Sequence, residues 1–224
     1  LTVQDWNSLI AAVADRFNRE YRGESIALPA EVEAMPIFQE RVSGILQAKI
    51  TSPFWQLAQP RKNQTCLDIG CGVGFLIYDW RDWGAYFYGQ DISKVACNAL
   101  KTRAPQLNSK LFKGVNLGAA HQLEYDAKKF DLAIATGVSC YYPIEYWVLV
   151  LTEVRKVLKP GGTFVFDVIN PETPLAESWA ILETYSGAEV FLESLADWKK
   201  AIQAEGKIVK SQSGELFELF KVTF

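Results

Sequence analysis

Leu67-Asp68-Ile69-Gly70-Cys71-Gly72-Val73-Gly74 decides how this chain of 224 residues is read. Thr65 to Ile69 is an apolar run of strand length, Gly70 to Gly74 a turn, and Phe75 to Trp83 a helical stretch closed by Gly84. A strand, a glycine turn and a helix in that order form the ligand-binding end of a doubly wound sheet. The spacing is Gly-x-Gly-x-Gly, and Phe75 stands where a dinucleotide fingerprint needs its last glycine. Without Cβ atoms the backbone can approach a ligand closely, and the helix start offers unpaired N–H groups to an anion such as a carboxylate. Asp68 would repel a pyrophosphate but suit an ammonium. An amino-acid moiety satisfies both groups.

The next strand, Tyr86 to Gln90, runs into Asp91. An acid there, some 20 residues beyond the loop, can accept hydrogen bonds from a ribose diol. Amino acid at the first strand and ribose at the second describe an amino-acid nucleoside. Further on the alternation continues: a helix over Ser93 to Arg103 with Pro105 beyond it, a third strand over Lys110 to Lys113, a fourth over Phe130 to Ala135. A long amphipathic helix over Ile144 to Leu158 stops at Lys159-Pro160-Gly161-Gly162, and a fifth strand covers Thr163 to Ile169. Such alternation implies parallel strands joined by right-handed crossovers.

The two ends differ from this rhythm. Val3, Trp6, Leu9, Ile10, Val13 and Phe17 recur at helical spacing before Gly23, and a loop with Pro29 and Pro36 leads to a second pattern, Phe38, Val42, Ile45, Leu46 and Ile50. Ser52-Pro53-Phe54-Trp55 starts a short helix, and a linker follows at Gln59 to Gln64. After helical stretches at Ala176 to Thr184 and Leu192 to Ala204, Lys207 to Ser211 and Glu215 to Phe224 flank Gly214 and read as a hairpin. The expected fold is α/β: a doubly wound, mainly parallel sheet with a C-terminal antiparallel hairpin and an N-terminal helical cap. Residues 1–224 are expected to form one domain, with the cap over 1–60 and the core over 65–224.

Composition narrows the function. A 49% hydrophobic content supplies a core, and a net charge of -3 gives no basic field for a polyanion. Lys and Arg are dispersed, so nucleic acid is an unexpected partner. No apolar run approaches the roughly 20 residues that cross a bilayer. Cys66, Cys71, Cys97 and Cys140 form no C-x-x-C pair, so no metal site is expected and a reducing, cytoplasmic setting is the default. No signal-peptide pattern opens the sequence. The oligomeric state is not encoded in any pattern found.

The chain from about Thr65 to Phe224 resembles the class I, seven-stranded S-adenosylmethionine-dependent methyltransferases. Leu67 to Gly74 is similar to the family's first motif and Asp91 to its ribose-binding acid. Phe130-Asp131-Leu132-Ala133-Ile134-Ala135 is similar to its fourth-strand motif, and Leu158 to Phe164 to the turn before its fifth strand. The terminal hairpin is similar to its reversed seventh strand. The resemblance implies S-adenosylmethionine as cofactor. It places the methionyl part on Asp68, Gly70, Cys71, Gly72 and Gly74, and ribose and one adenine face on Asp91 and Ile92. Asn116 and Leu117 stand where the family often has an Asp-Leu or Asp-Ala pair near the adenine amine. Asn departs from that pattern, though its carbonyl can still accept a hydrogen bond. Thr136 and Gly137 fall near the reactive centre.

A sulfonium methyl is transferred by in-line displacement, so the protein chiefly aligns a nucleophile and excludes water. Tyr141 occupies the position after the fourth strand where many relatives carry His, and with Tyr142 it is a candidate to orient substrate or face the sulfonium; plain packing is the competing reading. His121, the single histidine, is a candidate base against the plainer reading of an exposed loop residue. Among the cap aromatics Tyr21 and Trp55 are the pocket candidates. Thr136-Gly137-Val138-Ser139 replaces the Asn-Pro-Pro-Tyr type of sequence that adenine amino methyltransferases use. A small-molecule acceptor is the favoured expectation. A non-catalytic S-adenosylmethionine-binding module is the alternative, and a nicotinamide-dependent oxidoreductase is disfavoured by Asp68 and Phe75.

Overall fold

Cys66 to Ile69 are all buried, and such a run on both faces of a strand suits a parallel sheet covered by helices. This strand, β1 (Thr65–Ile69), pairs in parallel with β2 (Tyr86–Asp91) on one side and β4 (Phe130–Ala135) on the other. β3 (Phe112–Leu117) is the edge beyond β2, and β5 (Leu158–Ile169) continues beyond β4. β7 (Phe217–Thr223) pairs antiparallel with β5, and β6 (Lys207–Ser213) with β7, giving the order β3-β2-β1-β4-β5-β7-β6. The mainly parallel, seven-stranded sheet closed by a hairpin is therefore present. The strand order turns around between β1 and β4, which opens a crevice at their C-terminal ends. The ends of β1, β2 and β4 bring Ile69, Asp91 and Ala135 to that crevice.

The computed structural model describes residues 6–224; Val3 of the expected first helix lies outside the described residues, as do the side chains of Ile50 and Ser52. The first helix is α1 (Asn7–Tyr21). The expected second pattern is divided: α2 (Ala30–Glu33) and α3 (Pro36–Val42) each begin beside a proline, and α4 (Ile45–Ala58) runs straight through Pro53. A proline at or just before the first helical residue sacrifices no backbone bond, so Pro29 and Pro36 start helices where loop was expected. Val13, Phe54, Leu57 and Ala58 belong to the same buried core as the sheet, while Val32, Ile37 and Leu46 pack with Leu182 in a smaller one.

Other boundaries shift for local reasons. The helix after the glycine loop is two short turns, α5 (Gly74–Ile77) and α6 (Trp80–Trp83), because the extended backbone of Tyr78 interrupts it while its ring packs 4.9 Å from Trp55. α7 (Lys94–Asn108) continues past Pro105, carried by its buried face of Ala96, Cys97, Leu100 and Ala104; the Asn108 side chain then accepts from the Lys110 and Leu111 amides and turns the chain into β3. β3 consequently starts later than expected, and Asn116 and Leu117 lie within it. α8 (Ile144–Val157) stops one residue early, and β5 already pairs at Leu158. The Pro-Gly-Gly turn is a bulge between the Phe130–Leu158 and Leu132–Thr163 pairs. α9 (Ala176–Ser186) and α10 (Leu195–Glu205) precede the hairpin, and the Ser194 hydroxyl caps α10 at the Asp197 amide.

Candidate active site

An open cavity of about 440 Å³ lies over the crevice, within the size range of small-molecule sites. Asp68, Gly70, Cys71, Gly72, Gly74, Asp91, Ile92, Thr136, Gly137 and Tyr141 all line it. The backbone explains how the loop does so. Gly70 and Gly72 have φ of 67° and 48°, a left-handed conformation that a side chain would strain. A Cβ on Gly72 would also collide with the Tyr21 hydroxyl, and one on Gly70 with Val138. The loop is thus pressed between the cap and the turn after β4.

Two carboxylates sit beneath it. Asp91 Oδ2 accepts from the Gly72 amide at 2.7 Å and Oδ1 from the Ser93 amide at 2.6 Å. Each oxygen keeps a lone pair for another donor. Burial raises the Asp91 pKa, and the amides of Ser93, Gly72 and Ile92 oppose that shift. Asp68 is 2% exposed, and its Oδ1 is buried without a hydrogen-bond partner. Burial and then the charge of Asp91 push its pKa well up. A buried acceptor left unpaired beside a second carboxylate calls for a cationic donor.

At the end of β4 the positioning group is Asp167 on β5. Both its oxygens accept from the Gly137 amide, at 2.8 and 2.9 Å, and Oδ2 also from the Thr136 hydroxyl at 3.1 Å. Burial raises its pKa to about 7, against the pull of those donors. Sequence reasoning passed over it, although an acid inside the apolar strand Phe164-Val165-Phe166-Asp167-Val168-Ile169 is a signal.

The cap and α9 together supply a charged wall that the sequence reading also missed. Glu183 on α9 is 1% exposed and accepts from Arg16 Nε at 3.0 Å, Arg16 Nη2, Arg41 Nη1 at 2.9 Å and the Tyr141 hydroxyl at 2.9 Å. Burial works against the Arg16 charge, and Glu183 more than offsets it, so the pKa of Arg16 stands above its ordinary value. Glu20 joins through Oε2 to Arg16 Nη1 and to Arg41 Nη2. The signal for Glu183 was its place on the apolar spacing Ala176, Trp179, Glu183, Ser186. Tyr21 lines the cavity as well, with its pKa raised by burial and by Asp91.

Five expected residues stand differently. The Tyr141 hydroxyl is buried and committed to Glu183, and burial followed by the Glu183 charge raises its pKa, which does not suit a base. His121 does not line the cavity; its Nδ1 lies 3.2 Å from the Tyr146 hydroxyl, and burial lowers its pKa. Asn116 donates from its side chain to the Glu124 carbonyl, and Leu117 is half exposed; neither lines the cavity. Trp55 packs among Tyr78, Trp80 and Trp83 instead of entering the pocket.

Residues 67–166 match a family described as a methyltransferase domain. The sterol 4-C-methyltransferase strm-1 of Caenorhabditis elegans is 30% identical over 110 residues, 49% of this chain and 32% of that protein. A ubiquinone biosynthesis O-methyltransferase of Pelagibacter ubique is 29% identical over 163 residues, 70% of this chain and 63% of that protein. Magnesium protoporphyrin IX methyltransferase of Synechocystis PCC 6803, solved with bound SAM, has the same fold, with a TM-score of 0.65 at 18% identity over 99% of this chain and 98% of that one. The chain spans 24% to 34% of the length of several curated relatives it matches. Residues 67–166 are thus similar to a methyltransferase domain, and the glycine loop, strand order and reversed β7 give the chain the fold of the class I S-adenosylmethionine-dependent methyltransferases. Among the described residues no helix is long and apolar enough to cross a membrane.

Proposed function

We propose that this chain binds S-adenosylmethionine in the cavity and directs its methyl group to a small-molecule acceptor. The observation that carries this reading is the buried, unpaired Asp68 Oδ1 beneath a loop of left-handed glycines. An amino-acid ammonium supplies the donor that oxygen lacks, while the Gly70, Cys71, Gly72 and Gly74 amides are spent on Gln90, Asp91 and the loop itself and hold the loop's shape. The remaining lone pairs of Asp91 suit a ribose diol, with Ile92 against the adenine. When bound, the cofactor supplies an electrophilic sulfonium methyl. The chain's own residues then hold the reactants and exclude water. Asp167 fixes Gly137 and Thr136, the fixed ring of Tyr141 forms a wall, and the buried Arg16–Glu183 pair ties the cap over the cavity. None of these groups is placed as a free base, which fits an acceptor whose proton leaves late or is already gone. His121 and the Asn116–Leu117 pair take no part in this reading.

The open, polar-walled cap side favours transfer over a binding-only module. Residues 1–60 act in this reading as a cap on one domain, supported by the core that Val13, Phe54, Leu57 and Ala58 share with the sheet. Incubation with methyl-labelled cofactor and a metabolite extract should yield a labelled small molecule identified by mass. Binding without any labelled product across extracts would favour the module, and saturable NADH binding would favour an oxidoreductase.

A further inference from the structure

The loop and Asp91 account for the cofactor side of the cavity, but the charges on α1, α3 and α9 have no task there. Glu183 is fixed: it is buried and both its oxygens accept donors from Arg16, Arg41 and Tyr141. Glu20 is held differently. It is 44% exposed, and a single oxygen, Oε2, bridges Arg16 Nη1 and Arg41 Nη2. The Arg41–Glu20 pair is partly exposed on both sides and contributes little, and the buried Arg16 keeps Glu183 as its counter-charge, so Glu20 can be exchanged for another anion at small cost. With Glu20 turned outward, two guanidinium N–H groups converge on one vacated oxygen position. Arg16 and Arg41 then face only Glu183, which leaves one positive charge at the cavity wall.

Resting on the methyltransferase reading above, we propose that Arg41, backed by Arg16, receives a carboxylate on the acceptor, and that Glu20 keeps its place until the acceptor arrives. Guanidinium groups recognise carboxylates through paired N–H donors, which an ammonium cannot match. The surroundings indicate what carries the carboxylate. Arg16 lies 4.3 Å over the Phe17 ring, Phe17 meets Tyr141 edge-on at 5.3 Å, and Tyr21 lines the same cavity. A flat or apolar body next to the anionic group fits those rings. The acceptor class is therefore a small monocarboxylic acid with an apolar or aromatic body.

Benzoate is the probe, with benzamide as its neutral counterpart, titrated by calorimetry into protein saturated with S-adenosylhomocysteine. Benzoate is expected to bind at least tenfold more tightly than benzamide. Glu20→Ala should tighten benzoate severalfold, and Arg41→Gln should weaken it at least tenfold, while the affinity for S-adenosylhomocysteine stays within twofold. Equal binding of the two probes, or unchanged benzoate affinity in both variants, overturns the proposal. Loss of S-adenosylhomocysteine in Arg41→Gln also overturns it, since the guanidinium would then serve the cofactor. Glu20→Ala changes a half-exposed surface residue, so its result stands even where Arg41→Gln fails to fold. If the wild type does not bind S-adenosylhomocysteine, the methyltransferase reading fails instead. The benzoate titration of the unsaturated protein then decides the carboxylate site by the same two variants.

Discussion

Glu183→Ala is the substitution that best exposes how the cap is joined to α9. The side chain is 1% exposed and its principal partner, Arg16, is 2% exposed, so truncation leaves a buried cation without its main counter-charge. Breaking a buried pair in this way costs about 3–5 kcal/mol. Arg16 retains Glu20, which is half exposed, and the loss is therefore expected at the lower end, about 3 kcal/mol. For a domain of this size each kcal/mol lowers Tm by roughly 2–4 °C, which gives a fall of about 6–12 °C. Urea unfolding should show a lower midpoint at unchanged slope. Replacing both charges, Arg16→Met with Glu183→Leu, should recover much of the loss, because no buried charge is then left unpaired. A loss below about 1 kcal/mol for Glu183→Ala, or a double variant worse than the single, would refute the view that Arg16 is held in a dry site by Glu183.

Gly72→Ala should reduce S-adenosylhomocysteine affinity at least tenfold in calorimetry, since its φ of 48° and the Tyr21 hydroxyl both oppose a Cβ. Adding Tyr21→Ala should restore only part of the loss, and full restoration would mean that backbone strain is irrelevant there. Asp167 titrates near 7 when folded against about 3.9 unfolded, so over that window the folded state holds more protons. This group's contribution is complete below about pH 4 and declines as pH rises to 7, by up to ~4 kcal/mol. Asp167→Asn should flatten the pH profile of unfolding free energy between pH 4 and 8, and parallel profiles for the two proteins would sink that assignment.

The sheet was legible because β1, β4 and the Thr163–Ile169 part of β5 are mostly apolar runs between glycine or polar breaks, a pattern that suits parallel strands covered on both faces. β3 was misplaced because Val115 is its one fully buried residue, so the edge strand carries almost no apolar signal. The helix breaks at Tyr78 and Gly44, and the passage of α7 through Pro105, depend on packing that local spacing does not record. At the site, the glycines, Asp68 and Asp91 were readable from their places at strand ends. Arg16, Arg41 and Glu183 were not, because their pairing joins positions up to 167 residues apart. His121 drew notice by its chemistry alone, and the fold sends its ring to Tyr146.

The central claim is that this cavity is built for an amino-acid nucleoside, and Asp91 is where cofactor and loop meet. Calorimetric titration of S-adenosylhomocysteine into wild type and Asp91→Ala tests it most directly. Saturable one-to-one binding to the wild type, weakened at least tenfold in the variant, is the expected result. Equal affinity in the two proteins, or no binding to the wild type, would contradict it.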